Sequence, residues 1–249
     1  MHRILLYKTG ETDPTLVPSI GDYERWFGRV LGDGVTLEMH RAFDKPKHTF
    51  GGYDGMVITG SPRSLVDGEV EPWMDDAATF VRAADDAGVP VLGVCFGHQL
   101  VGYAYGGRVR KNPNGWEVGT VDVELTDEGA RDPLFAGLGR RIFVNQSHRD
   151  EVGTLGPTTR VLAAGAHTTH QAIAIGTHVR GVQFHPEMDA GVIQRIIAHR
   201  RAILTNDAVA RARAGYCIDT LIARATNTPD AERVLTNFVR NFIAKSAAA

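Results

Sequence analysis

The segment 89–94, which reads Val-Pro-Val-Leu-Gly-Val, is apolar almost throughout, and a helix-like stretch begins soon after it at His98. Such a run is typical of a strand at the centre of a parallel sheet that helices cover on both faces. Gly93 and Gly97 stand two positions before and after Cys95, as a tight turn from strand to helix requires. The segment therefore predicts an α/β chain with Cys95 at a helix N-terminus, where the helix dipole favours thiolate. The alternative role for Cys95 is a small buried hydrophobe.

Short apolar runs bounded by turn residues alternate with longer amphipathic stretches along the chain. This alternation predicts an open, mostly parallel twisted sheet flanked by helices. Between about residues 108 and 182 the pattern is mostly β, and a helical period returns from 189. The predicted strands are 3–7, 35–40, 55–59, 89–94, 118–125, 141–145, 160–164, 171–175 and 179–184, and the predicted helices are about 22–31, 72–87, 98–105 and those after 189, including 206–227.

The length of the chain bears on its domain organisation. At about 150 residues per domain, 249 residues favour one large α/β domain over 1–249. We expect a core over about 1–190, followed by a C-terminal helical extension over about 190–246.

Charge and composition exclude several classes of protein. Lys and Arg number 27 against 29 Asp and Glu, and the charges are scattered, so a nucleic-acid binder with a basic face is not expected. No stretch approaches the roughly 18 apolar residues of a membrane span, and the N-terminus does not resemble a signal peptide. With only two cysteines, we expect a cytoplasmic chain in a reducing compartment, without contact to a membrane.

A second motif, Gln-Phe-His-Pro-Glu at 183–187, follows another apolar strand. Sites in α/β sheets collect at the carboxyl ends of strands, so His185 is a candidate base for Cys95. Pro186 favours an extended backbone at His185, and Glu187 can then turn back to accept the far N–H of the imidazole. Taken alone, the motif also fits a strand-end histidine beside a surface carboxylate.

Together, the two motifs resemble those of the class I, triad-type glutamine amidotransferases. The hallmark of that family is a Gly-x-Cys-x-Gly-x-Gln elbow with His-Pro-Glu about 90 residues later, and this chain matches both residue for residue. The resemblance implies a flavodoxin-like fold, with Cys95 as nucleophile, His185 as general base and then acid, and Glu187 as the carboxylate that orients His185.

The same resemblance extends to the turn at 58–62, which reads Ile-Thr-Gly-Ser-Pro. By position in the family, it implies an oxyanion hole formed by the backbone N–H groups of Ser61 and Phe96, with Gly60 beside the substrate. The family often has glycine where Ser61 stands. This departure matters little if only the backbone N–H is used.

The segment 145–152, which contains Ser-His-Arg-Asp, resembles the Ser-His-x-Asp loop of the subgroup related to GMP synthase glutaminase domains. In that family this loop and the elbow glutamine help hold the α-amino and α-carboxylate groups of glutamine. By analogy, Gln99, Ser147 and His148 are candidate substrate-binding residues. A structural histidine paired with Asp150 is the alternative for His148, and the two roles can coexist.

The remaining chemical groups form no recognisable set. His167, His170 and His178 lack a third close ligand of the kind that zinc requires, so we expect no metal site there. We expect no organic cofactor either, since the triad chemistry needs none. Cys217 has no neighbouring base and is predicted to pack in the core.

Three functions remain open. The first is a free-standing hydrolase that cleaves the γ-amide of glutamine or a γ-glutamyl compound through a thioester. The second is a glutaminase subunit that passes ammonia to a separate synthetase, because this chain has neither a Gly-x-x-x-x-Gly-Lys nor a Ser-Gly-Gly-x-Asp nucleotide loop. The third is a non-catalytic scaffold. The DJ-1 and PfpI group shares an elbow cysteine but places its carboxylate far upstream, and a homo-oligomer remains open.

Overall fold

The computed structural model describes residues 1–45, 51–212 and 216–244. Within them, nine strands form one sheet in the order β2-β1-β3-β4-β11-β10-β9-β6-β7, and β5 pairs with β8 in a separate ribbon. The strands are β1 (His2–Lys8), β2 (Val35–Arg41), β3 (Gly55–Ile58), β4 (Val91–Val94), β5 (Arg108–Lys111), β6 (Glu117–Leu125), β7 (Arg141–His148), β8 (Asp150–Thr154), β9 (Arg160–Ala164), β10 (Ala172–Ile175) and β11 (Val179–Val182).

The main sheet is parallel in one half and antiparallel in the other. Strands β2, β1, β3, β4 and β11 pair in parallel, because helices or long crossovers connect them. From β11 outward through β10, β9, β6 and β7 every pairing is antiparallel. The carboxyl ends of β3, β4 and β11 therefore meet at one edge, and the two predicted motifs follow two of these strands.

Helices cover both faces of the sheet. They are α1 (Val17–Ile20), α2 (Tyr23–Leu31), α3 (Pro72–Asp86), α4 (Phe96–Ala104), α5 (Ala190–His199), α6 (Arg201–Asn206), α7 (Ala208–Arg211), α8 (Ile218–Arg224) and α9 (Pro229–Phe238), and α9 continues into a π-helical turn over Val239–Ile243. None of the described helices is long and apolar enough to cross a membrane.

Alternate residues of the central strands feed two apolar cores. Ile4 and Leu6 of β1 belong to the core that α2, α5 and α9 cover, whereas Leu5 and Tyr7 belong to the core under α3 and α4. This division follows from the two-residue period of a strand, which sends successive side chains to opposite faces. In such a sandwich, polar groups reach a pocket only where strands end and loops begin.

The predicted α/β architecture with its flanking helices is confirmed, and the strand at 160–164 has the predicted bounds. Two strands lie outside the predictions, β5 and β8. Their sequences, Arg-Val-Arg-Lys and Asp-Glu-Val-Gly-Thr, are too polar to resemble buried strands. The predicted helix at 206–227 is instead α7 and α8 with non-helical residues around them, and residues 213–215 lie outside the described residues.

The predicted burial of Cys217 is wrong. Cys217 is exposed at the N-cap of α8. The apolar face of this short helix consists of Ile218, Leu221 and Ile222, which pack on the core at helical spacing. Cys217 precedes the first turn of α8 and is not part of this apolar face, so its side chain is not buried with it.

Candidate active site

The elbow after β4 has the backbone geometry that the glycine spacing predicts. Cys95 has φ 53° and ψ −103°, and among the described residues no other non-glycine residue has a positive φ. A Cβ on Gly93 would lie 2.2 Å from the carbonyl oxygen of Gly97, and a Cβ on Gly97 would lie 2.5 Å from that of Ile58. Both positions therefore require glycine, and the packing holds Cys95 in a conformation that costs about 1–3 kcal/mol.

Two backbone hydrogen bonds join the elbow to the neighbouring strands. The Cys95 N–H donates to the carbonyl oxygen of Val182 at 2.9 Å, and the Gly97 N–H donates to that of Thr59 at 3.1 Å. The first turn of α4 is thus fixed between the ends of β3 and β11. Cys95 stands at its N-terminus, where the partial positive charge of the helix favours an anion.

His185 and Glu187 form a buried pair beside this elbow. Nδ1 of His185 lies 2.8 Å from Oε1 of Glu187, and the two side chains are 3% and 0% exposed. Since a carboxylate only accepts, Nδ1 carries the proton and Nε2 is the ring nitrogen left for Cys95. Burial lowers the pKa of His185, but the charges of Glu187 and Cys95 outweigh this effect and raise the pKa to about 10. The pair therefore favours an imidazolium next to the thiol.

A pocket of about 450 Å³ opens over Cys95 and His185. Its volume lies within the range of about 300–1,000 Å³ that small-molecule sites occupy. The N-terminal loop and the α5–α6 junction supply much of its wall. Further lining residues are apolar or aromatic (Leu16, Tyr23, Trp26, Phe43, Met188, Ile196 and Ile203) or charged (Glu11, Asp13, Arg63, His199 and Arg200).

The two candidate oxyanion donors flank the nucleophile. Among the described residues, no backbone carbonyl accepts a hydrogen bond from the N–H of Ser61 or Phe96. Ser61 lines the pocket, and its side-chain oxygen accepts from the Arg63 N–H at 3.1 Å. A Cβ on Gly60 would lie 3.1 Å from Cε1 of His185, so the preceding turn packs tightly against the imidazole. Both amides are thus free to donate to a ligand.

The candidate substrate-binding residues divide between the pocket and the interior. Ser147 lines the pocket, but Gln99 and His148 do not. The Gln99 amide donates to the carbonyl oxygen of Asp150 at 2.9 Å and to Oε1 of Gln183 at 3.2 Å. Gln99 is therefore a buried residue that ties the elbow helix to the start of β8, close in sequence to Ser147 at the end of β7.

His148 belongs to the same buried layer. Its Nδ1 lies 2.9 Å from the backbone carbonyl oxygen of Asp150, and its Nε2 lies 2.9 Å from Oε2 of Glu117. The contact with Asp150 is the structural alternative that the sequence left open, although the backbone and not the carboxylate is the partner. The Gln171 amide also donates to Oε2 of Glu117, at 2.9 Å. Both ring nitrogens of His148 are thus occupied by protein acceptors.

Two pocket residues were missed by the sequence analysis. Tyr23 lies on α2, and its hydroxyl would be 3.1 Å from a Cβ on Gly60. Arg200 joins α5 to α6 and is within reach of the Cys95 charge. The position of Arg200 carried a signal, because it stands four residues after Ile196 on the apolar stripe of α5. Tyr23 carried none, since an aromatic residue on an amphipathic helix normally packs in the core.

The three histidines that the sequence raised as metal ligands, His167, His170 and His178, have local partners. Nε2 of His167 is 3.1 Å from the carbonyl oxygen of Gly115, and Nδ1 of His170 is 2.7 Å from that of Val152. His178 lies 3.7 Å from a carboxylate oxygen of Asp85. Over the described part of the chain, no group of three His, Cys, Asp or Glu side chains has the arrangement of a metal site.

Comparison with known proteins agrees with this fold. The family model of class-I glutamine amidotransferases matches residues 28–202, and a solved glutamine amidotransferase from Methylobacillus flagellatus superposes with a TM-score of 0.74 at 22% identity. That alignment covers 97% of this chain and 94% of the other. The chain belongs to the class-I glutamine amidotransferase family, as its motifs predict.

Relatives of two kinds are similar in sequence. A glutamine-hydrolyzing GMP synthase subunit of Saccharolobus solfataricus is 35% identical over 58% of this chain and 72% of its own length. Gamma-glutamyl peptidase 5 of Arabidopsis thaliana is 26% identical over 75% of this chain and 76% of its own length. The chain spans only 23% and 25% of two longer GMP synthases that it also matches. The chain is thus similar both to a glutamine-hydrolyzing synthase subunit and to a gamma-glutamyl peptidase.

Proposed function

We propose that this chain is a self-contained hydrolase that cleaves the γ-amide of glutamine or of a γ-glutamyl compound and releases glutamate. The single observation that carries the proposal is that Cys95, on its strained elbow, and His185, whose Nδ1 meets the buried Glu187, line one pocket. Nucleophile, base and orienting carboxylate are the parts that a thiol acyl transfer needs.

In the proposed first half-reaction, Sγ of Cys95 attacks the amide carbon of the substrate. The N–H groups of Ser61 and Phe96 stabilise the oxyanion of the tetrahedral intermediate, each contributing about 3 kcal/mol. The C–N bond breaks as the His185 imidazolium donates its proton to the departing ammonia or amine. A γ-glutamyl thioester on Cys95 remains.

In the second half-reaction, water replaces the amine. His185, now neutral, accepts a proton from the attacking water, while Glu187 keeps the ring oriented through Nδ1. The same oxyanion donors act again. Collapse of the second intermediate breaks the C–S bond, releases glutamate and restores the thiolate–imidazolium pair, so the net reaction consumes only the amide and water.

The walls of the pocket favour the self-contained reading. Part of the pocket wall comes from segments that belong to neither motif. These are the N-terminal loop, with Asp13 and Leu16, and the α5–α6 region, with Ile203. The chain thus supplies its own enclosure. The aromatic and apolar lining also offers surface to a leaving group larger than ammonia, as in a γ-glutamyl peptide.

A second candidate is the glutaminase component of a two-protein amidotransferase. The similarity to the glutamine-hydrolyzing GMP synthase subunit favours it. In that case glutamine is the donor, and a separate synthetase stimulates turnover and receives the ammonia. Both candidates use the same pocket for glutamine. They differ in whether the chain hydrolyses its substrate without a synthetase.

Supporting roles follow for the other residues. We propose that Ser147 contacts the glutamyl group directly and that Gly60 leaves room for the substrate beside His185. We further propose that Gln99 and His148 are positioning residues, which hold the end of β7 and the start of β8 in place. We also propose that 1–249 form one domain, because α9 of the extension packs against β7 and α2.

The test is steady-state release of glutamate by the purified chain from glutamine and from a γ-glutamyl dipeptide, side by side. Cys95→Ala should lower turnover at least about 10⁴-fold, as removal of a nucleophile does in other triads. The matched control is Cys217→Ser, since Cys217 is exposed and lies outside the pocket.

Cys95-dependent turnover of either substrate by the chain alone supports the hydrolase and identifies its donor. A Cys95 thiol that is labelled by a glutamine-like diazoketone, in a chain that does not turn over, favours the two-protein amidotransferase. Equal activity of Cys95→Ala and the unchanged chain refutes both enzymatic functions.

A further inference from the structure

Arg200 stands at the junction of α5 and α6 with its guanidinium in the wall of the pocket. Its Nη1 donates to Oγ of Ser147 at 2.5 Å and to the backbone oxygen of the same residue at 3.1 Å. The guanidinium carbon lies 5.2 Å from the ring centroid of Trp116, in cation–π geometry. These contacts hold the side chain in one orientation towards the pocket that contains Cys95.

The other ionisable side chains that the N-terminal loop, the 61–63 turn and α5 bring to the pocket wall already contact a partner of complementary type. These pairs are Glu11 with Arg41, Asp13 with His199, and Arg63 with Glu71.

Arg200 differs from them. Over the described residues, no carboxylate lies within ion-pair distance of its guanidinium, and no acceptor contacts Nε or Nη2. The buried Arg180, by comparison, has Asp132 at 3.0 Å. Burial lowers the pKa of Arg200, so its enclosure is unfavourable for the charge until an anion binds. A guanidinium with an open fork in a ligand pocket is the usual receptor for a carboxylate.

We propose that Arg200 binds the α-carboxylate of the γ-glutamyl group, together with the Ser147 hydroxyl to which it is bonded. The inference rests on the proposed function, because it places a γ-glutamyl acyl group over Cys95. Every substrate of that class carries the α-carboxylate whatever its leaving group. The acyl half of the substrate would thus be recognised by charge and the leaving group by the apolar wall.

The first test compares glutamine with glutaminamide, in which a neutral carboxamide replaces the α-carboxylate. The unchanged chain should prefer glutamine in kcat/KM by about 10- to 100-fold, the value of a charge-assisted hydrogen bond. Arg200→Gln should lose that factor for glutamine, mainly through KM, and change kcat/KM for glutaminamide less than about threefold. Arg200→Lys should recover part of the preference, because the charge remains without the fork.

Arg201→Gln is the matched control. Arg201 is the next residue, but it is exposed, pairs with Asp219 at 2.5 Å and does not line the pocket. It should keep the preference for glutamine. If Arg200→Gln loses the same factor of kcat/KM on both substrates, Arg200 only helps to hold the pocket wall in place. The carboxylate subsite is then refuted. The same conclusion follows if the unchanged chain does not distinguish the two substrates.

The second test does not depend on turnover. The alkylation rate of Cys95 is measured with iodoacetate, which carries a carboxylate, and with neutral iodoacetamide, in a Cys217→Ser background so that the exposed thiol does not react. Arg200→Gln should lower the iodoacetate-to-iodoacetamide rate ratio about tenfold, whereas Arg201→Gln should leave it unchanged. An unchanged ratio in Arg200→Gln overturns the subsite.

The two tests separate the two proposals. A charge-dependent alkylation ratio in a chain that releases no glutamate supports the Arg200 subsite and contradicts the self-contained hydrolase. The opposite outcome is a chain that releases glutamate but whose alkylation ratio and preference for glutamine over glutaminamide do not change in Arg200→Gln. That outcome supports the hydrolase and contradicts the subsite. Far-UV circular dichroism of Arg200→Gln and Arg200→Lys verifies that each variant is folded.

Discussion

Among the described residues, two histidine–carboxylate pairs are buried, and only one of them faces the pocket. His185 with Glu187 and His148 with Glu117 have nearly the same separation, 2.8 and 2.9 Å, and similar burial, with side chains between 0% and 6% exposed. They differ in the second ring nitrogen. Nδ1 of His148 meets the carbonyl oxygen of Asp150, whereas Nε2 of His185 is left for the thiol.

This difference decides what each pair can do. A histidine whose two ring nitrogens both face oxygen atoms of the protein has no nitrogen left at which to exchange a proton with a substrate. His148 therefore acts as a fixed structural group that secures the end of β7, where Ser147 lies. His185 keeps one nitrogen for chemistry. A histidine beside a carboxylate is thus a candidate base only when its second nitrogen is unoccupied.

The largest effect is expected for Glu187→Gln, which removes the carboxylate of the pair that faces the pocket. We expect kcat/KM to fall about 10²–10⁴-fold, because an amide neither fixes the tautomer nor stabilises the imidazolium. In the unchanged chain, activity should fall as pH rises through about 10, where His185 loses the proton it donates to the leaving group. Loss of the carboxylate removes the charge that raises this pKa, so the alkaline limb should move to lower pH.

The measurement is the pH profile of kcat/KM from pH 5 to 11. An alkaline limb that stays in place in Glu187→Gln would show that Glu187 does not set the protonation of His185, and the two pairs would then be equivalent in their effect on chemistry.

Glu117→Gln tests the other pair. Removing one partner of a buried ion pair leaves the other charge uncompensated, so we expect about 3 kcal/mol less free energy of unfolding at neutral pH. Contacts with His148 lower the pKa of Glu117 against the effect of burial. Because the folded-state pKa lies below the ordinary 4.5, this stabilisation is present above pH 4.5 and disappears as pH falls through the lowered value.

Urea unfolding of the unchanged chain and Glu117→Gln at several pH values measures this. The difference between them should be largest near neutral pH and shrink below pH 4.5. The alkaline limb of the activity profile should stay where it is. A shifted limb would mean that the two pairs are coupled.

The smallest effect is expected for Ser61→Ala. The proposed oxyanion donor at this position is the backbone N–H, and the hydroxyl oxygen accepts a hydrogen bond from the Arg63 N–H at 3.1 Å. We expect kcat/KM to change less than about threefold, within the ±0.5 kcal/mol of a neutral substitution. A loss of about 100-fold would assign the hydroxyl itself to the site.

Much of the site was predictable because its geometry is local. Gly93 and Gly97 are where a strand-to-helix elbow excludes side chains, and that exclusion is visible in the one-dimensional pattern. The spacing of His185 and Glu187 likewise predicts a pair within one short loop. Gln99 shows the limit, since its motif position predicts proximity to Cys95 but not the direction of its side chain, which points to Asp150.

The α/β layers, the elbow, the His-Pro-Glu pair and the family could be predicted from the amino-acid sequence, because each depends on residues close together in the chain or on a motif of high specificity. Three features became visible in the folded chain alone: which histidine keeps an unoccupied nitrogen, the exposure of Cys217, and the entry of Arg200 and Tyr23 into the pocket. Those outcomes depend on which acceptors and charges meet from distant segments, and pairings of that kind are set by packing in three dimensions.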